Sequence, residues 1–171
     1  MKIGIIQWSL NQDGNTPKAI NFFQEKADKF NIQQEIINLQ NIDLEFCNWQ
    51  PPEKYNKNLQ ETFEKINSCN WYIIWMPVYQ YSVSWPLKNF LDLSSKFMFW
   101  KPFGILEVSW SIRSYLAAWD LMNLLFFECE MVPIPPVIHL SINDFKEDYY
   151  KYDDNINSKI EQLTNNIQKH L

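Results

Sequence analysis

Residues 71–92, WYIIWMPVYQYSVSWPLKNFLD, carry the clearest pattern of secondary structure in the sequence. The apolar beginning of this stretch, Trp71 to Met76, is typical of a strand buried on both faces. We expect Pro77 to end that strand, because proline has no N–H for the ladder. A polar and aromatic loop, residues 78–84, precedes a helix with Ser84 as its N-cap. This order places the loop at the carboxyl end of a strand, where open α/β sheets bind ligands.

The amino-terminal segment predicts a second strand–loop–helix unit. Residues 2–7, KIGIIQ, form a short β-rich run, and apolar spacing predicts a helix over residues 16–29, with Asn15 or Thr16 as its N-cap. The start of such a helix suits a phosphate, because its amides point outward and its dipole is positive there. Neutral side chains that can add hydrogen bonds are Ser9, Asn11, Asn15 and Thr16. The same composition also suits a plain turn.

The rest of the chain continues the alternation of strands and helices. Three further strands are predicted at residues 33–39, 101–109 and 130–138. The last contains three prolines, which restrict it to an edge of the sheet. Further helices are predicted at about residues 58–67, after residue 113 as one long helix, and at about 153–170. Five strands alternating with five helices imply a parallel sheet with helices on both faces.

The composition is that of an ordinary globular domain, which we place at residues 1–171. Apolar residues make up 46% of the chain and charged residues 20%, which is typical of a folded protein. A net charge of −5 gives no basic surface for nucleic acid. No apolar run approaches the roughly 18 residues of a membrane span, and the first residues do not resemble a signal peptide, so we expect a cytoplasmic protein. Three widely spaced cysteines suggest neither a disulfide framework nor a metal site.

Two segments resemble the flavin-contacting segments of the NADPH-dependent FMN reductases. The family pattern P-x-Y-x-x-S-x-x-G-x-L-K-N-x-x-D is matched by Pro77, Tyr79, Ser82, Leu87, Lys88, Asn89 and Asp92. The family's G-S-L-[RN]-x-x-[SG]-x-[NS] is matched by Ser9, Leu10, Asn11 and Asn15. Asn11 stands where many relatives have arginine, which would weaken phosphate binding. The resemblance covers about residues 1–140.

This resemblance implies a flavodoxin-like three-layer sandwich, with a five-stranded parallel sheet of order 2-1-3-4-5. It also implies bound FMN and NAD(P)H, with the phosphate held by Ser9, Asn11, Asn15 and Thr16. The flavin ring would be contacted by Pro77, Val78, Tyr79, Gln80, Tyr81, Ser82, Ser109, Trp110 and Ser111. Hydride transfer between nicotinamide and flavin needs no side-chain acid or base, so we expect no catalytic side chain and no metal. The partners would be a small-molecule electron acceptor and a second copy of the chain, paired through the third and fourth helices.

Two functions from different classes fit these observations. The first is an NAD(P)H-dependent flavin or quinone-type oxidoreductase; the second is a flavodoxin-type electron carrier without its own NAD(P)H turnover. The two motifs favour the reductase, because flavodoxins have acidic loops and a Thr/Ser-rich phosphate loop. A flavin-free regulatory or vestigial domain is a third reading.

Hydrolytic chemistry and metal binding are not expected. His139 and His170 have no companion at triad or ligand spacing in the sequence. Ser109 and Ser111 are not in a nucleophile elbow and have no partnered base.

Tryptophan occupies several positions where the family has glycine. The chain has eight tryptophans and three glycines, although glycine usually makes up about 7% of a protein. Glycine at Trp8, Trp85 and Trp110 would give QGSLN, SVSGPLKN and VSGSIRS, each closer to the family. One hypothesis is that such codons are UGA, which some bacteria read as glycine; the alternative is a divergent protein with bulky residues. We expect an indole at Trp8 to occupy volume that the phosphate needs.

Overall fold

The computed structural model describes residues 2–9, 14–141, 144–145 and 154–169. Its strands are β1 (Lys2–Gln7), β2 (Gln33–Asn38), β3 (Trp71–Tyr79), β4 (Ser82–Val83), β5 (Pro102–Ser109), β6 (Val132–Pro133) and β7 (Ile138–Ser141). Its α-helices are α1 (Asn15–Lys29), α2 (Lys57–Asn67), α3 (Trp85–Ser94), α4 (Ala117–Asn123) and α5 (Asp154–Lys169). Short 3₁₀ turns lie at Leu39–Asn41, Pro52–Lys54, Ser95–Phe97 and Ile112–Leu116, and a π-helical turn at Leu124–Glu128.

The strand order confirms the predicted flavodoxin-like sheet. The path is β2-β1-β3-β5-β6, and β7 also pairs with β5. These pairings are parallel. The predicted fifth strand is two short strands, β6 and β7, on the free side of β5, with the cis peptide bond Pro135–Pro136 between them. The remaining strand, β4, pairs antiparallel with the end of β3.

The sheet separates two apolar layers. Side chains alternate across the sheet along β5, so Phe103 and Ile105 join one cluster while Leu106 and Val108 join the other. The first cluster contains the buried faces of α2, α3 and α4, and the second those of α1 and α5. Helices therefore cover both faces, as expected, and the carboxyl ends of the strands form one edge of the sheet.

Pro77 does not end β3, so this prediction was wrong. The strand continues to Tyr79, and Pro77 lies opposite Val108 of β5. The amide of Trp8 donates to the carbonyl of Trp75, so the backbone groups of Trp75 face β1, and those of Pro77, two residues further, face the same side. The pairing of β1 with β3 ends at Trp75. The missing N–H of Pro77 therefore removes no ladder bond.

The helix ends also differ from the predictions. The N-cap of α1 is Gly14, not Asn15 or Thr16, and glycine is accepted at this position. Ser84 does occupy the N-cap of α3, but its side chain makes no capping hydrogen bond. The predicted long helix after residue 113 is a sequence of 3₁₀, α and π turns from Ile112 to Glu128. Asp153 and His170, at the predicted limits of the last helix, lie outside the described residues.

Candidate functional site

A cavity of about 370 Å³ lies where the carboxyl ends of β1, β3 and β5 meet the start of α1. This volume lies in the usual range of small-molecule sites, about 300–1,000 Å³. The lining residues are Ser9, Gly14, Asn15, Thr16, Pro77, Val78, Tyr79, Val108, Ser109 and Trp110. Three segments that are distant in sequence thus form one concave surface.

Most of the residues predicted from the sequence line this cavity. They are Ser9, Asn15, Thr16, Pro77, Val78, Tyr79, Ser109 and Trp110. Gln80, Tyr81, Ser82 and Ser111 are not among its lining residues, and Asn11 lies outside the described residues. The prediction missed Gly14 and Val108, although the position of each, just before the helix and just before Ser109, was a usable signal.

The α1 end of the cavity has neutral hydrogen-bonding groups. Gly14, the N-cap residue, has no side chain to satisfy the amides of the first turn. Thr16, in that turn, is buried, and Ser9 approaches from the end of β1. The side-chain amide of Gln40 donates to the carbonyl of Ser9 and fixes this segment. An uncapped helix start beside hydroxyl groups is a suitable site for a phosphate.

The β3 side of the cavity is apolar and conformationally fixed. Val78 and Tyr79 pair with Val83 and Ser82 of β4 in a hairpin. The two turn residues, Gln80 and Tyr81, have φ of 51° and 61°, as in a type I′ turn. Burial raises the pKa of the Tyr79 phenol, so this group stays protonated at neutral pH. The hairpin therefore presents the Pro77–Tyr79 segment as a firm wall.

The third wall contains a polar chain that the sequence analysis missed. The Ser109 hydroxyl donates to the carbonyl of Ser111 at 2.7 Å and contacts Nε2 of His139 at 3.2 Å. Nδ1 of His139 lies 2.8 Å from Oε1 of Glu107. The expectations that His139 has no companion and that Ser109 has no partnered base were therefore wrong. The parallel pairing of β5 with β7 places Glu107 beside His139, which sequence spacing does not reveal.

The Lys–Asn–x–x–Asp segment of α3 has a structural role. Lys88 and Asp92 form an ion pair along the helix, 2.5 Å between Nζ and Oδ1. The side chain of Asn89 accepts from the amide of Cys47 and donates to the carbonyl of Glu45. Asn89 thus anchors the long connection before α2 to the helix.

The tryptophans have very different environments. Trp8 packs against the apolar cluster on the α2–α4 face and does not line the cavity, so the expectation that its indole fills the phosphate volume was wrong. Trp110 does line the cavity and is 82% exposed. Trp49 and Trp100 have φ of 60° and 62°. A bulky side chain is a clear outlier in this left-handed region, which glycine adopts freely.

The described part of the chain contains no group of three or more histidine, cysteine or acidic side chains placed to hold a metal ion. None of its helices combines the length and the apolar character of a membrane span.

Comparisons with known proteins identify relatives of the same kind. The chain is 22% identical over 133 residues to an NAD(P)H-dependent FAD/FMN reductase of Geobacillus thermodenitrificans, which covers 77% of the chain and 72% of the relative. The structure matches an NADH:FMN oxidoreductase in its apo form with a TM-score of 0.83 at 18% identity, over 99% of this chain and 89% of that one. It matches the NAD(P)H:(acceptor) oxidoreductase FerB of Paracoccus denitrificans with a TM-score of 0.79 at 19% identity, over 99% and 98%.

Flavodoxins match the fold less closely. One from Streptococcus pneumonia TIGR4 has a TM-score of 0.68 at 11% identity over the whole of both chains. At these identities the structural matches show the fold alone. The family model for NADPH-dependent FMN reductases matches residues 1–145, most of the 171-residue chain, and the chain therefore belongs to the NADPH-dependent FMN reductase family.

Proposed function

We propose that the cavity at the carboxyl edge of the sheet is the FMN site of this chain. As a member of its family, the protein is an NAD(P)H-dependent flavin oxidoreductase with FMN as cofactor. The observation that carries the assignment of the site is the combination of an uncapped helix start and an apolar wall in one cavity. The first suits a phosphate and the second suits an aromatic ring.

The donor set fits FMN. Ser9, Asn15 and Thr16 would hold the phosphate together with the first amides of α1, and Asn11 would join them from the same connection. The segment Pro77–Tyr79 would pack against the ring, with the hairpin residues Gln80, Tyr81 and Ser82 at its rim. Ser109 and Trp110 would form the opposite wall, next to Ser111. All three segments belong to one FMN-binding domain, residues 1–171.

The chain's own contribution is binding, orientation and exclusion of water. When bound, FMN would supply the hydride chemistry that connects NAD(P)H with a small-molecule acceptor. The apolar wall from Pro77 to Tyr79 excludes water from one side. Trp110 is exposed at the cavity, where its ring can stack against a planar nicotinamide or acceptor.

We further propose a homodimer through the face of α3 and α4. Exposed aromatic side chains are concentrated there. Two of them, Trp85 and Phe46, stack with ring centroids 5.7 Å apart. Trp119 and Phe127 are 59% and 75% exposed. A cavity of about 620 Å³ lies between α3 and the π turn beside Phe127. Aromatic side chains that are exposed together often mark protein interfaces.

The three cysteines are free thiols, in keeping with a cytoplasmic location.

Turnover of NAD(P)H separates this proposal from the flavodoxin-type carrier. The purified, FMN-loaded chain is mixed with NADH or NADPH, and oxidation is followed at 340 nm with and without a quinone. We expect catalytic oxidation that depends on the acceptor. A chain that binds FMN tightly but oxidises neither nucleotide would contradict the proposal and favour the electron carrier.

Gel filtration with light scattering of wild type and Trp119→Glu tests the dimer, because a charge in that face should yield monomers.

A further inference from the structure

Three polar side chains link the interior of the protein to the cavity. Glu107 contacts His139 at 2.8 Å, and His139 contacts Ser109 at 3.2 Å. Glu107 is fully buried, the His139 side chain is 15% exposed, and Ser109 lines the cavity. This row of three side chains therefore has a buried end at Glu107, a point of contact with solvent at the His139 imidazole, and an end at the proposed cofactor site, at Ser109.

The environment of Glu107 favours keeping a proton in this chain. Burial raises the pKa of the Glu107 carboxyl, and the bond to His139 opposes that rise. Among the described residues, its second oxygen, Oε2, has no hydrogen-bond partner of standard geometry. The Ala118 amide nonetheless lies near enough to favour the charged form. A charged carboxylate without a protonated imidazole would be costly at this depth, so the pair Glu107–His139 holds a shared proton.

The hydrogen-bond directions fix where a second proton lies. The Ser109 hydroxyl gives its own proton to the carbonyl of Ser111 at 2.7 Å. Its oxygen must then accept from His139, which requires a proton on Nε2. A hydrolase needs the opposite arrangement, with the serine proton directed at the imidazole. The geometry therefore does not indicate an activated nucleophile; it indicates a chain of donors that ends at the cavity.

We propose that Glu107, His139 and Ser109 form a proton relay into the cofactor cavity, an inference that rests on the cavity being the FMN site. The overall reaction consumes one proton: NAD(P)H, an oxidised two-electron acceptor and H⁺ give NAD(P)⁺ and the reduced acceptor. The Ser109 hydroxyl turns from the Ser111 carbonyl and gives its proton to the molecule being reduced. It receives the Nε2 proton of His139 at the same time. Nε2 of His139 then regains a proton from water, directly or through the Ser109 hydroxyl at the cavity, since the His139 side chain is 15% exposed.

The neighbours of the pair are mostly uncharged. Met76 of β3 lies opposite Glu107, and the start of α4 contributes the Ala118 amide. Beyond β7, the carboxylate of Asp144 is bonded to the amide and hydroxyl of Ser141. In the described part of the chain, His139 is the one titratable group that shifts the pKa of Glu107. A pH effect of the relay should therefore depend on these two residues.

The tautomer of His139 gives a test that needs no activity. The chain has two histidines, so long-range ¹H–¹⁵N spectra of the FMN-free protein resolve both imidazoles, and His170→Gln assigns them. At pH 7 we expect a proton on Nε2 of His139. A proton on Nδ1 alone would overturn the relay, because Nε2 would then accept from Ser109.

The kinetic test uses Glu107→Gln and Ser109→Ala, with His170→Gln as the control. Loss of a general acid typically costs about 10²–10⁴-fold; for a relay that water can partly replace, we expect at least a tenfold lower kcat. KM for NAD(P)H should be unchanged, and the pH dependence of kcat should flatten in Glu107→Gln. Unaltered kcat and pH profile in both variants would overturn the relay.

FMN affinity, measured by fluorescence quenching, separates the two proposals. Wild type and Glu107→Gln should bind FMN within about twofold of each other. Failure of wild type to bind FMN would reject the cofactor site itself. Normal binding with an unchanged pH profile would reject the relay alone.

Discussion

The two edges of the same sheet are built in opposite ways. At the amino edge, polar groups are paired within the protein: Lys2 Nζ lies 2.5 Å from a carboxylate oxygen of Glu35, and the Tyr72 hydroxyl donates to the carbonyl of Ile66 at 2.8 Å. Lys101 donates to the carbonyl of Asn67 at 3.1 Å. At the carboxyl edge, the N-cap residue of α1 is Gly14, which has no side chain to cap the helix, and it lies beside an open cavity.

This difference shows how the fold divides stability and function. At the amino edge, hydrogen bonds connect the strands to the end of α2 and the turn after it, and the polar groups that form them have their partners within the protein. At the carboxyl edge, Ser9, Asn15, Thr16 and Ser109 line a cavity that a ligand can fill. Substitutions at the two edges should therefore have separable effects, on unfolding at one and on FMN binding at the other.

The largest effect should come from a negative charge in the cavity. Ser9→Asp places a carboxylate beside the proposed phosphate position, and like charges repel strongly at such a site. We expect at least a 100-fold loss of FMN affinity, about 2.8 kcal/mol, measured by calorimetry. Lys2→Gln, at the other edge, is the control and should bind FMN normally. Equal affinities for Ser9→Asp and wild type would remove the phosphate from this end of the cavity.

A smaller effect on affinity should follow removal of one hydroxyl. Thr16 and Thr62 are each 5% exposed, but only Thr16 lines the cavity, while Thr62 donates to the carbonyl of Asn58. Thr16→Val should weaken FMN binding about tenfold, the equivalent of one hydrogen bond to a charged group. Thr62→Val should leave the affinity unchanged. A loss of affinity in both variants would indicate a general disturbance of the fold.

Trp100→Gly should stabilise the protein. The left-handed backbone of Trp100 costs a non-glycine residue roughly 1–2 kcal/mol, although the bond from its indole to Glu130 is lost. We expect a net gain of about 1 kcal/mol in urea unfolding. Trp119→Gly is the matched control, since Trp119 is also exposed but lies in α4, where a glycine lowers stability by about 1 kcal/mol or less.

Sequencing the gene is a separate test: UGG codons at all eight tryptophans would end the recoding hypothesis.

The smallest effect should come from the amino edge. Tyr72→Phe removes the donor to Ile66 and the contact of the Tyr72 hydroxyl with Lys101 at 3.3 Å. We expect a loss of about 0.5 kcal/mol in the free energy of unfolding, because the Ile66 carbonyl loses one donor but keeps the Cys69 amide at 3.0 Å. FMN affinity should not change. A variant with weakened FMN binding but unaltered stability would contradict the division between the two edges.

The sequence predicted the elements that depend on local pattern and missed those that depend on neighbours in space. Apolar runs placed β1, β3 and β5, and helical spacing placed α1 and α2, because these signals are local. The continuation of β3 through Pro77 depends on where β1 ends, which no local rule contains. The hairpin of β3 and β4 has Gln80 and Tyr81 at its turn instead of the usual glycine or asparagine.

The site was predicted to a similar extent. Motifs identified the cavity segments, since a loop at a strand's carboxyl end has a known position in the sheet. The contact between Glu107 and His139 could not be predicted, because the two residues are 32 positions apart and meet through the register of β5 and β7. Only the assembled sheet brings the two side chains together.

The most direct test is a titration of FMN into the ¹⁵N-labelled chain, followed by amide chemical shifts. We predict one-to-one binding in which the signals of Gly14, Thr16, Tyr79 and Ser109 move, while those of Cys69 and Tyr72 at the amino edge do not. Absence of binding by the folded chain, or shifts concentrated at the amino edge, would contradict the assignment of the cavity as the FMN site.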